Sequence, residues 1–317
     1  MDEMTKYERV LKTMRCEEVD RLPWSTYLHS HVHDRGVPQF ANYTLNFHKR
    51  FDPDYIKVMM DESYDSPVNV QYCWDINVWN RFEPLDPHIG GFGRQLENLK
   101  IIKDAVGPDV PVLQTVYSPF HWARRLSWQF VNHYRQDAAV VDRGVSAITD
   151  SLIAFSRACI NTAGIDGFFY GMFCCEPAWM TEEEFVRWSI PHDRRVLSVM
   201  REAPMLITHI HGPEKCYFDA CKDLECDALS WEDRTAGPSI AQVRKISKKG
   251  LVGGINIQTA IKATAQEVYN EGMDAIKQAD GRGLILSPGC TFHVDTPAEN
   301  MFALKRAVYD AGKAGKK

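Results

Sequence analysis

Short apolar runs recur along the whole chain, and nearly every one is followed by a stretch with helical spacing. This alternation limits the possible folds more than any other feature. Runs at 21–28, 51–60, 111–116, 164–173, 205–209, 227–232, 250–256 and 283–287 read as strands, bounded by Pro, Gly or Asp. Among the helical stretches, 138–163 carries Ala139, Val140, Val145, Ile148 and Leu152 as one stripe, and 193–201, 239–245 and 265–279 follow the same rule. A leading helix at 6–14 places Val10, Leu11 and Met14 on one face. Thr181 with Glu184 forms a capping box, and a last helix is expected with Thr296 as N-cap, Pro297 at its first position and Glu299 completing the box. Parallel strands need long crossovers, and helices supply them. Eight strands alternating with helices predict a single (β/α)8 TIM barrel of the α/β class, one domain over residues 1–317. No linker, composition shift or internal repeat divides the chain. The stretch 61–100, with Trp74, Trp79, Phe82 and Phe92 among prolines and glycines, reads as an irregular insertion near the barrel mouth.

Composition removes several function classes. The net charge is −5, and no basic cluster occurs before the tail at 313–317, so a nucleic-acid partner is not expected. No apolar run approaches the roughly 18–20 residues of a membrane helix, so no membrane partner is expected either. The first residues, Met1-Asp2-Glu3-Met4, are acidic and lead into an amphipathic stretch, unlike a signal peptide. The nine cysteines include no CxxC pair, and Cys216, Cys221 and Cys226 are spaced by five, on different helical faces. Reduced thiols in a cytoplasmic protein are the expectation.

Barrel chemistry sits where strands end, at the C-terminal face. The polar residues just past the expected strands are Tyr117, Glu176, His209, His211, Glu232, Asp233, Asn256 and Cys290. His209 and His211 are one residue apart and share a strand face. Cys290 follows Pro288-Gly289 at the end of the last strand. Two imidazoles and a thiol meeting at the mouth would make a zinc site with an open position. Plainer readings exist for each: a hydrogen-bonded structural histidine for His209 or His211, a buried thiol for Cys290. His29, His31 and His33 could form a second metal cluster, but a loop role is simpler. Cys174 and Cys175 are adjacent, which favours core packing, and His293 reads as a loop histidine.

Several stretches together resemble the uroporphyrinogen decarboxylase superfamily. They are Tyr7-Glu8-Arg9-Val10, Asp20-Arg21-Leu22-Pro23, Trp74-Asp75-Ile76, Gly167, Met180-Thr181-Glu182-Glu183-Glu184-Phe185 with Pro191, His209-Ile210-His211-Gly212 and Gly253-Gly254-Ile255-Asn256. The most specific are Leu286-Ser287-Pro288-Gly289-Cys290 and Thr296-Pro297-Ala298-Glu299-Asn300. The resemblance spans essentially the whole chain and implies a (β/α)8 fold. The true decarboxylases of the family hold a polycarboxylate with an arginine-rich loop after the first strand. Here that loop, residues 28–35, contains one arginine, so porphyrinogen decarboxylation is not implied. Asp75 and Tyr117 do stand where the family has an aspartate and a tyrosine.

The other branch is similar in its metal pattern. Its members are zinc-dependent corrinoid:thiol methyltransferases with His-x-Cys and a second Cys about eighty residues on. This chain has His209-x-His211 and then Cys290, with 78 residues intervening, so one thiolate is replaced by imidazole. The resemblance therefore implies a methyltransferase with Zn2+ on His209, His211 and Cys290, and a methylated corrinoid, on a partner protein or as free methylcobamide, opposite a small acceptor such as a thiol. A metal with two imidazoles keeps more Lewis acidity than one with two thiolates, and leaves a bound sulfur easier to ionise but less reactive. Glu176 is the candidate fourth ligand or general base, Asp75 and Tyr117 are further catalytic candidates, and Asn256 and Glu232 are candidates for substrate binding. Two alternatives remain: a metal-free decarboxylase-like lyase centred on Asp75 and Tyr117, and a non-catalytic barrel that binds a corrinoid protein.

Overall fold

The computed structural model describes residues 3–32, 35–71 and 73–314. Seven strands form one sheet: β1 (Ile56–Val58), β2 (Val112–Tyr117), β3 (Gly167–Met172), β4 (Met205–Ile210), β5 (Ala228–Trp231), β6 (Gly250–Ile255) and β7 (Leu284–Pro288). Each pairs in parallel with the next in sequence order, from β1 through β7. Almost every strand residue is buried, as expected of a parallel sheet covered by helices on its outer face.

The segment expected as the first of eight strands is not a regular one. It touches β7 through two isolated bridges, Trp24 to Leu286 and Leu28 to Phe292. Ser25 N donates to Leu286 O (2.9 Å), Leu286 N donates to Pro23 O (3.0 Å), and on the other side Asp54 N donates to Trp24 O (2.9 Å). The segment therefore closes the barrel between β7 and β1. Pro23 has no N–H to give a ladder, one reason the pairing stays intermittent.

Two other expectations change. The second strand shrinks from 51–60 to three residues, because Phe51 ends a helix, Val37–Phe51, that stops at Asp52 in the left-handed region (φ 58°). The stretch 61–100 contains a 3-10 helix, Ile76–Arg81, and from Gly90 onward a regular helix, Gly90–Val106. The glycines that make this helix look like loop sequence are there for close approach. A Cβ on Gly91 would lie 2.4 Å from Ser63 O, and one on Gly93 2.4 Å from His88 O. At the other end of the chain, the helix Ala298–Ala314 starts without the expected box: Thr296 Oγ1 is buried and has no hydrogen-bond partner. The boxes at Thr5/Glu8 and Thr181/Glu184 do form. Cys174 and Cys175 are both buried, and all nine cysteines are free thiols. Among the described residues, no helix is long and apolar enough to cross a membrane.

A buried ionic knot ties the N-terminal face together, opposite the mouth. Arg9 donates to Asp20 (2.7 Å) and to Asp54 Oδ1 (2.8 Å); Arg21 donates to both Asp54 oxygens (2.7 and 2.9 Å); and Trp24 N donates to Asp54 Oδ2 (2.9 Å). Asp54 is fully buried. It links the leading helix, the closing segment and β1. Removing one partner of such a network strands buried guanidinium charge, at a cost of about 3–5 kcal/mol. We expect Asp54→Ala to lose stability of that order in urea unfolding. A change within about 0.5 kcal/mol, typical of surface positions, would mean the knot does not hold the closing segment.

Candidate metal and substrate site

The parallel register decides which side chains meet at the mouth. His209 on β4 lies between Gly171 on β3 and Ser230 on β5. The missing Cβ of Gly171 leaves room for Tyr117 and Phe173, whose ring atoms lie 3.1 and 3.2 Å from where it would be, and the small Ser230 faces the imidazole of His209. Its Nδ1 lies 3.0 Å from Ser230 Oγ, while its Nε2 is buried with no partner. His211 follows one residue after β4 and stacks on Phe173 (centroids 4.3 Å apart, planes 23° apart). The turn after β7 passes close to the end of β5: a Cβ on Gly289 would lie 3.1 Å from Glu232 Cα. That approach brings Cys290 to Glu232. The loop carrying Glu232 is in turn fixed by Asp233, which accepts from Gly254 N (2.8 Å), and by Arg234, which donates to Gly254 O (2.8 Å) and Asp274 (2.6 Å).

Ligand-type atoms of His211, Glu232 and Cys290 all lie within 4.8 Å of one another. The structure thus draws together two of the three residues expected on the metal and adds Glu232, which sequence reasoning assigned to substrate. His209 lies beside this grouping, its ring centroid 6.0 Å from that of His211, rather than in it. The electrostatics of the four agree. Burial lowers both histidines, His211 to about 4 with help from the charge of Arg124, and His209 well below the usual range. Burial also raises the Cys290 thiol, which Lys57 partly offsets. Glu232 is raised to about 7 by burial and by the nearby Glu176 and Asp233. Neutral imidazoles, a protonated thiol and a carboxyl poised near neutrality therefore lie close to one another here. A zinc ion takes N, O and S donors of these kinds. The unpartnered nitrogens of His209 and His211 would gain a partner from it.

A cavity of about 1030 Å³ opens above this grouping. His209, His211, Glu176, Tyr117 and Cys290 line it, with Phe169, Phe173, His121, Trp122 and Trp179 as aromatic walls. Glu176 Oε1 is 3.9 Å from His211 Nδ1, and burial raises its pKa. Tyr117 stacks on His121 (4.4 Å) and meets Phe173 edge-on (5.5 Å). Two candidates stand apart. Asp75 is exposed, caps the 3-10 helix by accepting from Asn77 N (3.0 Å), and is outside the cavity lining. Asn256 turns its side chain back to accept from Gln258 N (2.8 Å); its neighbours Ile257 and Gln258 line the cavity instead.

Sequence reasoning passed over Lys57, Arg124 and Arg125, and weighed the lining residues His29 and His31 as a cluster or as loop histidines. Lys57, a lone charge in an otherwise apolar strand, has its ammonium 4.0 Å from the Tyr27 ring and 3.8 Å from that of Phe169; burial lowers it to about 8. His29, weighed with His31 and His33 as a cluster, instead has Nδ1 2.6 Å from Asp61 Oδ1. His31 also lines the cavity, with a left-handed backbone (φ 52°), and His33 lies outside the described residues. Arg124 and Arg125 line one wall.

A parallel barrel with clustered N, O and S donors at its C-terminal mouth is the class this fold and site define. The sequence model of the Uroporphyrinogen decarboxylase (URO-D) family matches residues 54–311, and the chain belongs to that family. Methylcobamide:CoM methyltransferase MtaA of Methanosarcina barkeri is 25% identical over 224 residues, 67% of this chain; the chain spans 62% of that relative's length. Among solved structures, a methyltransferase from Methanosarcina mazei superposes with a TM-score of 0.82 at 19% identity, covering 99% of this chain and 100% of that one. A B12-independent methionine synthase from Shewanella sp. W3-18-1 reaches a TM-score of 0.58 at 14% identity, covering 93% of each chain. At these identities the structural likenesses speak for the fold.

The raised Glu232 gives a stability test on metal-free protein. Its folded value of about 7 lies above the ordinary 4.5, so the folded chain keeps a proton that the unfolded chain releases. That contribution is complete below about 4.5 and is lost as pH rises through about 7. Buried Asp193, raised to about 6, acts in the same direction, so the comparison must be with a variant. Metal-free Glu232→Gln should lose less stability between pH 5 and pH 8 than the parent, measured by thermal melting. Parallel curves would contradict the assignment.

Proposed function

We propose that this chain is a zinc-dependent methyltransferase that moves a methyl group between a methylated corrinoid and a small acceptor, with a thiol the first choice. The grouping of His211, Glu232 and Cys290, whose ligand-type atoms lie within 4.8 Å of one another, carries the reading. These three residues would hold the ion, and His209, with its free buried Nε2, is the next donor within reach. When bound, zinc supplies the Lewis acidity that keeps a substrate sulfur as thiolate at neutral pH.

The chain's own residues do the rest. Glu176, raised by burial and next to His211, can take the proton that the acceptor gives up. Phe173 holds His211 by stacking, and Ser230 holds His209 by a hydrogen bond. Aromatic side chains, Phe169, Phe173, Trp122 and Trp179 among them, wall the cavity beside these groups. With Glu232 in the set, the donors His, Glu and Cys carry the same total charge as one imidazole and two thiolates. The carboxylate is a harder donor than sulfur, so the site would favour ionising its acceptor over enhancing its nucleophilicity. The methyl donor would be a corrinoid protein or free methylcobamide, by analogy with what the MtaA relative is named for. The unpaired thiols suit a reducing compartment such as the cytoplasm.

Purified protein should contain about one equivalent of zinc, and should demethylate methylcobalamin when a suitable thiol is supplied. Cys290→Ala should lose the zinc and slow that turnover by about 100-fold or more. A folded, metal-free protein that transfers the methyl group at full rate would overturn the proposal.

A further inference from the structure

Lys57 is the one lysine among the residues lining the cavity, and the metal and its neighbours make no use of it. It is the middle residue of β1, with Ile56 and Val58 buried on either side. Successive strand residues point to opposite faces, so Lys57 turns away from the face of its two neighbours and into the cavity. There its ammonium lies against two rings, 4.0 Å from the centre of Tyr27 and 3.8 Å from that of Phe169. The two rings meet each other edge-on, 5.8 Å apart.

No acid is bonded to this amine. Among the described residues, Lys57 has neither a hydrogen bond nor an ion pair. The acids of the cavity wall are bound elsewhere. Asp61 meets His29 Nδ1 (2.6 Å) and accepts from Ser30 N (3.0 Å) and Ser30 Oγ (2.8 Å), and Glu62 accepts from Arg94 Nε (2.9 Å) and Nη2 (2.7 Å). Ring faces solvate an ammonium far less well than water does. Burial accordingly lowers Lys57 to about 8, so that near neutral pH a share of it is free amine, the nucleophilic form. A methionine of similar length would fill the same space without burying a charge, so packing alone does not call for an amine here.

We propose that Lys57 is a covalent site that captures a small aromatic aldehyde inside the cavity as an imine. The Nζ lone pair attacks the carbonyl carbon, and the carbinolamine so formed loses its hydroxyl. Overall a C=N bond replaces C=O, and the oxygen departs as one water carrying both hydrogens of the amine. The step balances without oxidant, reductant or metal. The walls select the ring: Tyr117, Phe169, Phe173 and Trp122 line the same space, and an aryl group can stack on such side chains or meet them edge-on. At about 1030 Å³ the cavity holds a single-ring molecule with room to spare. The site goes beyond the methyl-transfer reading and does not depend on it, since neither zinc nor a corrinoid takes part.

Reductive trapping on the full chain tests this. The protein is incubated at neutral pH with benzaldehyde and cyanoborohydride, which fixes any imine as a secondary amine, and each lysine is read by peptide mass mapping. Lys57 should take up a benzyl group on the order of tenfold faster than any other lysine. Cyclohexanecarbaldehyde, similar in size but without a π face, should label it more slowly. Benzyl alcohol, which forms no imine, should protect Lys57 and leave the surface lysines unprotected. Lys57→Met and Lys57→Arg should each lose the fast-labelled site; should either fail to fold, the map of the parent still decides. Labelling of Lys57 no faster than that of surface lysines, or untouched by benzyl alcohol, would overturn the site. Equal rates with the two aldehydes would overturn its choice of an aromatic ring.

Discussion

His209, His211, Glu232 and Cys290 lie near one another at the barrel mouth, and burial disfavours the charged form of each. The two imidazoles are driven neutral, the thiol keeps its proton, and Glu232 is poised near neutrality. Burial holds such groups in their neutral forms unless a counter-charge lies near. A divalent cation is such a counter-charge, and the donors present are of the types zinc takes. The surrounding structure can be understood as what keeps these atoms close. Gly171 leaves room for Tyr117 and Phe173, Ser230 holds His209, Gly289 lets the β7 turn approach β5, and the Asp233–Arg234 anchor holds the Glu232 loop.

The barrel itself depends on a different region. Asp54 and its two arginines tie the closing segment to β1 at the N-terminal face. All seven strands run parallel, so the ends of β4, β5 and β7 lie at the opposite face. Stability and chemistry thus occupy opposite ends, as the architecture generally arranges them. The aromatic wall belongs to the second end: Tyr117, His121, Phe173 and His211 form a continuous series of ring contacts from the helix after β2 to the donor grouping.

Much of this was legible in the sequence, for stated reasons. Buried parallel strands are short apolar runs, and six of the seven appear within a residue or a few of their expected bounds. The pair His211 and Cys290 was visible because a strand end and a Pro-Gly turn both mark the mouth. What failed had physical causes. Glycines in Gly90–Val106 serve close backbone contact, and they disguised a helix as loop. The closing segment at 21–28 reads as a strand by its apolar run, but it is held by isolated bridges in place of a ladder. Glu232 follows a short strand, and nothing in its spacing says it will meet a cysteine 58 positions away. That meeting depends on how Gly289 packs, which only the fold reveals. Asp75 was chosen for its position in a motif, yet its carboxylate caps a 3-10 helix on the surface. The arginines of the cavity wall follow β2 on a short helix, where a basic pair looks like any exposed face.

The central claim is that zinc is gripped by a mixed set from β4, β5 and β7, and X-ray absorption at the zinc edge addresses it without any assay of turnover. The account predicts a first shell dominated by nitrogen and oxygen at about 2.0–2.1 Å with a single sulfur at about 2.3 Å. It further predicts that the sulfur disappears in Cys290→Ser while the light-atom shell remains. Two sulfurs, or a spectrum unmoved by changing Cys290 or Glu232, would place the ion elsewhere and contradict the account.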